Sequence, residues 1–188
     1  MTNDSLDILQ VGHPVLRKIA HSVAVKDITG PVIKDVLKRM KEALASQDDG
    51  VAIAAPQIGE SYRIFVVSGK IFDDRFKRGK GIPKGEKPAH EDVVFINPEI
   101  VKLSTKTKWL DEGCLSVRPI YGQVKRSLNA TVKAYDEHGK KFERGGGGLL
   151  AHIFQHEIDH LDGILFIDKA RNTHEGSSDE LTDGDAEA

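Results

Sequence analysis

The chain has 188 residues, of which 39% are hydrophobic and 30% charged, and its formal net charge of −2 is ordinary for a single globular domain. No apolar run approaches the roughly 20 residues that span a bilayer, and the first ten residues, MTNDSLDILQ, lack the basic residues of signal peptides and organelle presequences. We therefore expect a cytoplasmic protein that does not associate with membranes.

Charge is distributed unevenly along the chain. All 27 Lys and Arg residues occur up to Arg171, and six acidic residues follow it. We predict one domain over residues 1–171 and an acidic, disordered tail over residues 172–188, because the tail has few apolar residues to bury. The body has a slight basic excess, which is weak support for a nucleic-acid partner, and we expect no direct recognition of nucleic-acid sequence.

The first half of the chain shows one helical pattern and two strand patterns. Residues 29–46, TGPVIKDVLKRMKEALAS, carry apolar side chains at helical spacing, and Pro31 suits a first turn. Residues 62–67 and 92–100 are rich in β-branched and aromatic residues and are predicted strands. The charged stretch between them, residues 68–91, is too long for a simple hairpin turn, so it is either a functional excursion or a flexible loop.

The second half adds a hairpin and a second helix. Residues 129–143 are predicted to form the hairpin, with its turn near His138 and Gly139. The run RGGGG at 144–148 is expected to break the chain before a helix over residues 149–161. The predicted fold class is therefore α+β, with mixed or antiparallel sheets packed around a central buried helix.

This helix contains the sequence HEIDH, which indicates a metal site. His156 and His160 lie one helical turn apart and can bind one ion, whereas Glu157 lies about 100° away around the axis. A carboxylate at that position suits a general base acting on water at the ion. The neighbouring residues are apolar, and burial of two His and a Glu without a ligand would be costly.

Several residues could provide the third ligand. The metalloprotease pattern HExxHxxGxxH fails because Phe166 occupies its last position. A thermolysin-like downstream glutamate would have to come from Glu175, Glu180 or Glu187, which lie in the predicted tail. His152 lies on the same helical stripe, but ligands on three successive turns diverge from one ion, so we expect it to line the cavity.

Cys114 is the remaining candidate for the third ligand. It is the only cysteine, so an intramolecular disulfide is excluded, and it follows the flexible Glu112-Gly113 pair. A set of two His and one Cys leaves a fourth position open, as in catalytic sites, and a thiolate ligand suits Fe(II) as well as Zn(II).

Three segments together resemble the signature motifs of the peptide deformylase family. They are GVAIAAPQIG at 50–59, EGCLS at 112–116 and QHEIDH at 155–160. The resemblance extends over about residues 6–168 and implies removal of the formyl group from the N-terminal methionine of new polypeptides. It further implies one divalent ion, with Fe(II) expected as the native metal and Zn(II), Ni(II) or Co(II) able to replace it.

The resemblance also implies roles for individual residues. Cys114, His156 and His160 would bind the metal, and Glu157 would be the acid and base. Gln57 would donate a hydrogen bond to the formyl oxygen, together with the backbone N–H of Leu115. Removal of one such donor typically costs about 3 kcal/mol of transition-state stabilisation.

The substrate peptide would pair with the backbone of the first motif as an added strand. Its methionine side chain would enter an apolar pocket that has His152 at its edge. The residues expected to contact substrate are Gly50, Val51, Ala52, Glu112, Gly113, Ile153 and His156.

Two features depart from the family pattern. Ala52 stands where the first motif usually has Gly, and we interpret it as an extended strand residue that narrows the cleft. The C-terminal residues have no apolar periodicity, although many family members end in a long helix that contacts the ribosome.

The alternatives to a deformylase are a peptidase with the same helix and a non-catalytic, metal-stabilised binding module. The second is disfavoured because neither Glu157 nor Gln57 is needed for structure.

Overall fold

A computed structural model describes residues 7–83 and 86–176. The helices are α1 (Pro31–Ala45), α2 (Asp74–Lys77) and α3 (Gly148–Leu161). The strands are β1 (Ala52–Ala54), β2 (Ile64–Val67), β3 (Val93–Leu103), β4 (Thr107–Gly113), β5 (Ile120–Ser127), β6 (Asn129–Tyr135), β7 (Lys141–Gly147) and β8 (Arg171–Glu175). Over these ranges, no helix is long and apolar enough to cross a bilayer.

The strands form two antiparallel sheets. The larger has the order β1-β2-β3-β6-β7 and the smaller the order β4-β5-β8. Helix α3 packs on one face of the larger sheet and also contacts β5 of the smaller one. The predicted α+β class, with sheets around a buried helix that carries the HEIDH motif, is confirmed.

Both faces of β2 are covered, which explains its uninterrupted apolar sequence. Phe65 and Val67 pack with α3, whereas Ile64 and Val66 pack with α1 on the opposite face. Phe65 also stacks on Phe95 at a centroid distance of 4.5 Å. Helix α3 is therefore held against a rigid aromatic layer.

The glycine-rich run 144–148 differs from its prediction as a chain break. Residues 144–147 continue β7 and pair with β6, and the backbone turns only at Gly148, where φ is +53°. A Cβ atom at Gly146 would lie 2.7 Å from Leu150. The glycines thus allow the first turn of α3 to approach the sheet closely, a tertiary requirement that local propensity does not reveal.

The segment between β2 and β3 contains ordered structure. It includes α2, and the buried Asp73 carboxylate accepts hydrogen bonds from the backbone N–H groups of Arg75 and Ala89. The guanidinium of Arg75 binds the same carboxylate and holds its pKa well below the ordinary value. The Asp73 carboxylate therefore links the start of α2 to the backbone at Ala89, near the other end of this segment.

The start of the predicted disordered tail was placed too early. Residues 171–175 form β8, which pairs with β5, and Arg171 stacks over Trp109 at 3.6 Å from the ring centroid. Hydrogen bonding and this stacking outweigh the low apolar content of the segment. Residues 177–188 lie outside the described residues, and a tail there remains a prediction.

Candidate active site

The first and second motifs meet beside α3, which carries the third. The first motif contributes β1 and the short 3-10 turn Ala55–Ile58, and the second contributes the residues that follow β4. Helix α3 supplies His156 and His160 from successive turns. The antiparallel sheets bring together residues that are about 100 positions apart in sequence.

Cys114, His156 and His160 form a compact group of potential metal ligands. One ligand atom from each lies within 4.8 Å of the others, and Cys114 Sγ is 3.1 Å from His160 Nε2. Tetrahedral coordination at usual Zn–S and Zn–N lengths would place such atoms about 3.3–3.6 Å apart. Burial, followed by the charge of His156, lowers the pKa of His160 and keeps its ring neutral, as binding requires. The three residues therefore fit one divalent ion.

Glu112 orients the His156 ring by binding the nitrogen that would not face the ion. Its carboxylate accepts from His156 Nδ1 at 2.5 Å, so the Nε2 atom of that ring is left for a metal. Burial alone would raise the pKa of Glu112, but His156, His152 and Arg126 hold it well below its ordinary value. Burial likewise opposes protonation of His156, yet the Glu112 charge raises its pKa.

This arrangement gives the Glu112 side chain contacts that support His156, and substrate contact by Glu112 remains a prediction. Glu112 is only 3% exposed, and its oxygens are occupied by Arg126 and two histidines. His152 was expected to line the cavity, and its Nε2 atom lies 2.7 Å from the same carboxylate. Glu112 contacts the candidate ligand His156 directly, and His152 contacts it through the same carboxylate.

Two further residues of this buried network were missed in the sequence. Arg126 binds Glu112 with two nitrogens, at 2.7 and 3.1 Å, and reaches Asp159 at 2.6 Å. Arg126 lies on β5, and no local pattern distinguishes it from the exposed Lys125 beside it. Asp159 lies inside the HEIDH sequence, so its position between the two candidate metal-ligand histidines was the signal that could have identified it.

Glu157 lies on α3 between the two histidines and is 4% exposed. Its Oε2 atom has no hydrogen-bond partner within the described ranges. Burial raises its pKa to about 7, despite the opposing charge of His156. A buried carboxyl with a free oxygen and a pKa near neutrality suits proton transfer.

Gln57 and Leu115 place two hydrogen-bond donors beside Cys114. Gln57 Oε1 accepts from Ala54 N–H at 2.8 Å, which fixes the amide so that Nε2 faces Ser116 Oγ at 3.1 Å and Cys114 Sγ at 3.7 Å. The N–H of Leu115 has no acceptor among residues 7–83 and 86–176. The Leu115 N–H is thus free for an oxygen atom next to the three candidate ligands, whereas Gln57 Nε2 can donate to such an atom by exchanging its long contact with Cys114 Sγ.

The sequence-predicted peptide-binding segment lies at a sheet edge. Strand β1 is the terminal strand of the larger sheet, and its outer edge pairs with no strand among the described residues. Ala52 pairs with Val67 and is absent from the residues with positive φ in the described ranges, so its interpretation as an extended residue is confirmed. Val51 and Ile153 pack in the same apolar cluster. A Cβ atom at Gly50 would lie 3.3 Å from the Leu115 side chain, and one at Gly113 would lie 2.4 Å from the Tyr121 ring.

A family model described as polypeptide deformylase matches residues 5–175. The chain belongs to the polypeptide deformylase family. Peptide deformylase of Carboxydothermus hydrogenoformans is 39% identical over 165 residues, which is 88% of this chain and 93% of that protein. Its counterpart in Fusobacterium nucleatum is 41% identical over 162 residues, covering 86% and 82% of the two chains.

Solved deformylase structures share the fold. Peptide deformylase of Thermotoga maritima has a TM-score of 0.70 at 35% identity, covering 87% of this chain and 96% of that one. The actinonin-bound class I type b enzyme of Acinetobacter baumannii has a TM-score of 0.72 at 31% identity, covering 88% and 98%. Family membership also disfavours the metalloprotease pattern HExxHxxGxxH. The position where that pattern needs a third histidine ligand is occupied by Phe166, which is buried in an apolar cluster.

Proposed function

We propose that Cys114, His156 and His160 hold one divalent ion and that Glu157, Gln57 and the N–H of Leu115 carry out deformylation around it. Membership of the deformylase family makes the chain a metal-dependent hydrolase that removes the formyl group from N-formyl peptides and releases formate. Support for the individual roles comes from the geometry of the side chains.

The ion, when bound, supplies Lewis-acid activation of water and of the formyl carbonyl. We propose Fe(II) as the native metal, with Zn(II), Ni(II) or Co(II) able to replace it, because one thiolate and two imidazoles accept all four. Glu112 and Arg126 contribute indirectly, since their contacts orient the His156 ring.

Glu157 is proposed to transfer the proton. Its carboxylate takes a proton from the attacking water and passes it to the amine nitrogen as the C–N bond breaks. The products are formate and a free N-terminal amine, so the protons and electrons of amide hydrolysis balance. Its burial supports this role, because bulk water cannot compete for the proton.

Gln57 Nε2 and Leu115 N–H are proposed to stabilise the negative charge that develops on the formyl oxygen. The tight space they share with Cys114 also favours a formyl hydrogen over an acetyl methyl group. One extra methyl in a rigid site commonly costs about 1–3 kcal/mol, and misplacement of the carbonyl adds to that cost.

The peptide is proposed to pair with the free edge of β1 near Gly50, Val51 and Ala52. The methionine side chain would then lie against Val51 and Ile153, which belong to one apolar cluster. We propose new polypeptides in the cytosol as the substrates and a ribosome contact as the means of delivery. Co-sedimentation of the protein with purified ribosomes tests the contact.

The observation that carries this proposal is the position of Glu157, buried with one free oxygen between two metal-ligand histidines. The test is anaerobic purification with metal analysis, followed by amine release from formyl-Met-Ala and from acetyl-Met-Ala. We expect about one ion per chain and a kcat/KM ratio of at least about 10²-fold in favour of the formyl peptide. Comparable rates on the two peptides, or cleavage of internal peptide bonds, would refute deformylation.

A further inference from the structure

The segment Ile8–Val11, which we call the N-terminal strap, connects the first and second motifs. Leu9 N–H donates to the backbone oxygen of Gln57 at 2.8 Å, and Val11 N–H donates to that of Ser116 at 2.7 Å. The side chain of Gln10, which lies between them, donates from Nε2 to the Leu115 oxygen at 2.9 Å. Three successive residues thus bind the segments that carry the two proposed oxyanion donors.

Gln10 is exposed, yet its side-chain amide is fully engaged in hydrogen bonds. Its amide nitrogen also donates to the backbone oxygen of Ile8 at 3.0 Å, so both of its hydrogens are used. The amide therefore bridges the strap and the second motif as one fixed unit. Neither of these two bonds goes to a proposed metal ligand, so any effect of Gln10 on the ligands would be indirect.

The second motif is fixed through three successive carbonyl groups. Val117 N–H donates to the Cys114 oxygen at 3.0 Å, Gln10 to the Leu115 oxygen, and Val11 N–H to the Ser116 oxygen. The Leu115 N–H shares a peptide plane with the Cys114 oxygen and precedes the plane that Gln10 holds. Because planar peptides rotate only about φ and ψ, these bonds define the direction of the Leu115 N–H.

We propose that Gln10 is a positioning residue that keeps the Leu115 N–H directed at the formyl oxygen. This inference rests on the proposed function, because it gives that N–H a task in the reaction. A donor held in place before the reaction stabilises developing charge without a reorganisation cost, whereas a donor that moves loses part of that effect. The strap is then part of the oxyanion site although it touches no substrate.

The kinetic consequence follows from where the donor acts. Complete loss of one oxyanion donor costs about 10²–10³-fold in kcat. Loss of alignment should cost less, so we expect at least about a tenfold fall in kcat for Gln10→Ala with KM within about threefold of wild type. Gln10→Glu should fall at least as far, because a carboxylate cannot donate and faces two carbonyl oxygens.

The experiment compares both variants with wild type and with Gln123→Ala, all loaded with Zn(II). Gln123 is a suitable control because its amide makes one weak bond, to Asn172 at 3.3 Å on the smaller sheet. Metal content, melting temperature, kcat and KM are measured on formyl-Met-Ala. The ¹⁵N order parameter of the Leu115 amide is measured by NMR, and we expect it to fall from about 0.85 towards 0.6 in the Gln10 variants alone.

The outcomes separate this inference from the proposed function. An unchanged kcat together with an unchanged Leu115 order parameter would overturn the positioning role, as would a rate loss fully accounted for by lost metal. If wild type itself released no amine from the formyl peptide, the proposed function would fail. The order parameter would then still decide whether Gln10 holds Leu115.

Discussion

Replacement of Arg126 by Met tests whether the buried ion network holds the active site together. Arg126 and Glu112 have side chains that are 4% and 2% exposed, and Arg126 also reaches Asp159. The Met side chain fills part of the same volume but removes the positive charge, so Glu112 keeps only its two histidine partners. Asp159 is less affected, because Lys169 still binds both of its oxygens, at 2.7 and 2.8 Å.

These contacts set limits on the expected loss of unfolding free energy in Arg126→Met. Removing one partner of a buried ion pair typically costs 3–5 kcal/mol, because the other charge remains desolvated. Partial compensation by the histidines and Lys169 places Arg126→Met near the lower limit, at about 3 kcal/mol. For a chain of this size, that corresponds to a fall in melting temperature of about 6–12 °C.

Urea unfolding of the Zn(II)-loaded protein measures this loss, with Arg17→Met as the matched control. Arg17 also binds a carboxylate with two nitrogens, but it and Asp168 are 43% and 39% exposed, so we expect less than about 1 kcal/mol. Metal affinity, measured by chelator competition, should fall about 10–100-fold in Arg126→Met only. Equal losses in the two variants, both below about 1 kcal/mol, would show that burial of the network does not matter.

Four further predictions concern other parts of the chain. Glu157→Gln should retain metal but lower turnover by at least about 10²-fold, and turnover within a few-fold of wild type would remove its proton-transfer role. Cys114→Ala should lose stoichiometric metal, as elemental analysis would show, and retained metal with full activity would contradict the ligand assignment. Deletion of residues 177–188 should change the unfolding free energy by less than about 1 kcal/mol, whereas deletion of 171–188 should cost at least about 2 kcal/mol through lost backbone hydrogen bonds and cation–π stacking. Asp73→Asn should destabilise the protein at pH 7, because the folded-state pKa of Asp73 is depressed. The difference from wild type should shrink as pH falls below about 4, the pKa of an unfolded-state Asp, and should vanish only at the still lower pH at which the folded-state carboxylate is protonated. A difference that does not shrink below about pH 4 would contradict this origin.

The sequence by itself was sufficient to predict the main elements and to select the three candidate ligands that the fold brings together. His156 and His160 could be paired because helical spacing alone brings them to one face, and Cys114 followed once the downstream alternatives were eliminated. Helix α1 was predicted as residues 29–46 and spans Pro31–Ala45, since its apolar spacing is strong and Pro31 defines its first turn. These features depend on local geometry, which short stretches of sequence encode.

Other features depended on contacts between distant segments. The buried contact between Glu112 and Arg126 could not be predicted from the sequence, because Arg126 reaches Glu112 only through the pairing of β4 with β5. The strand character of β8 came from pairing with β5, and its own residues are polar and exposed. The strap acquires its significance only when folding places Gln10 against Leu115, 105 residues away. Hydrogen bonds and buried charges depend on which groups the tertiary fold brings together, and a linear pattern does not contain that information.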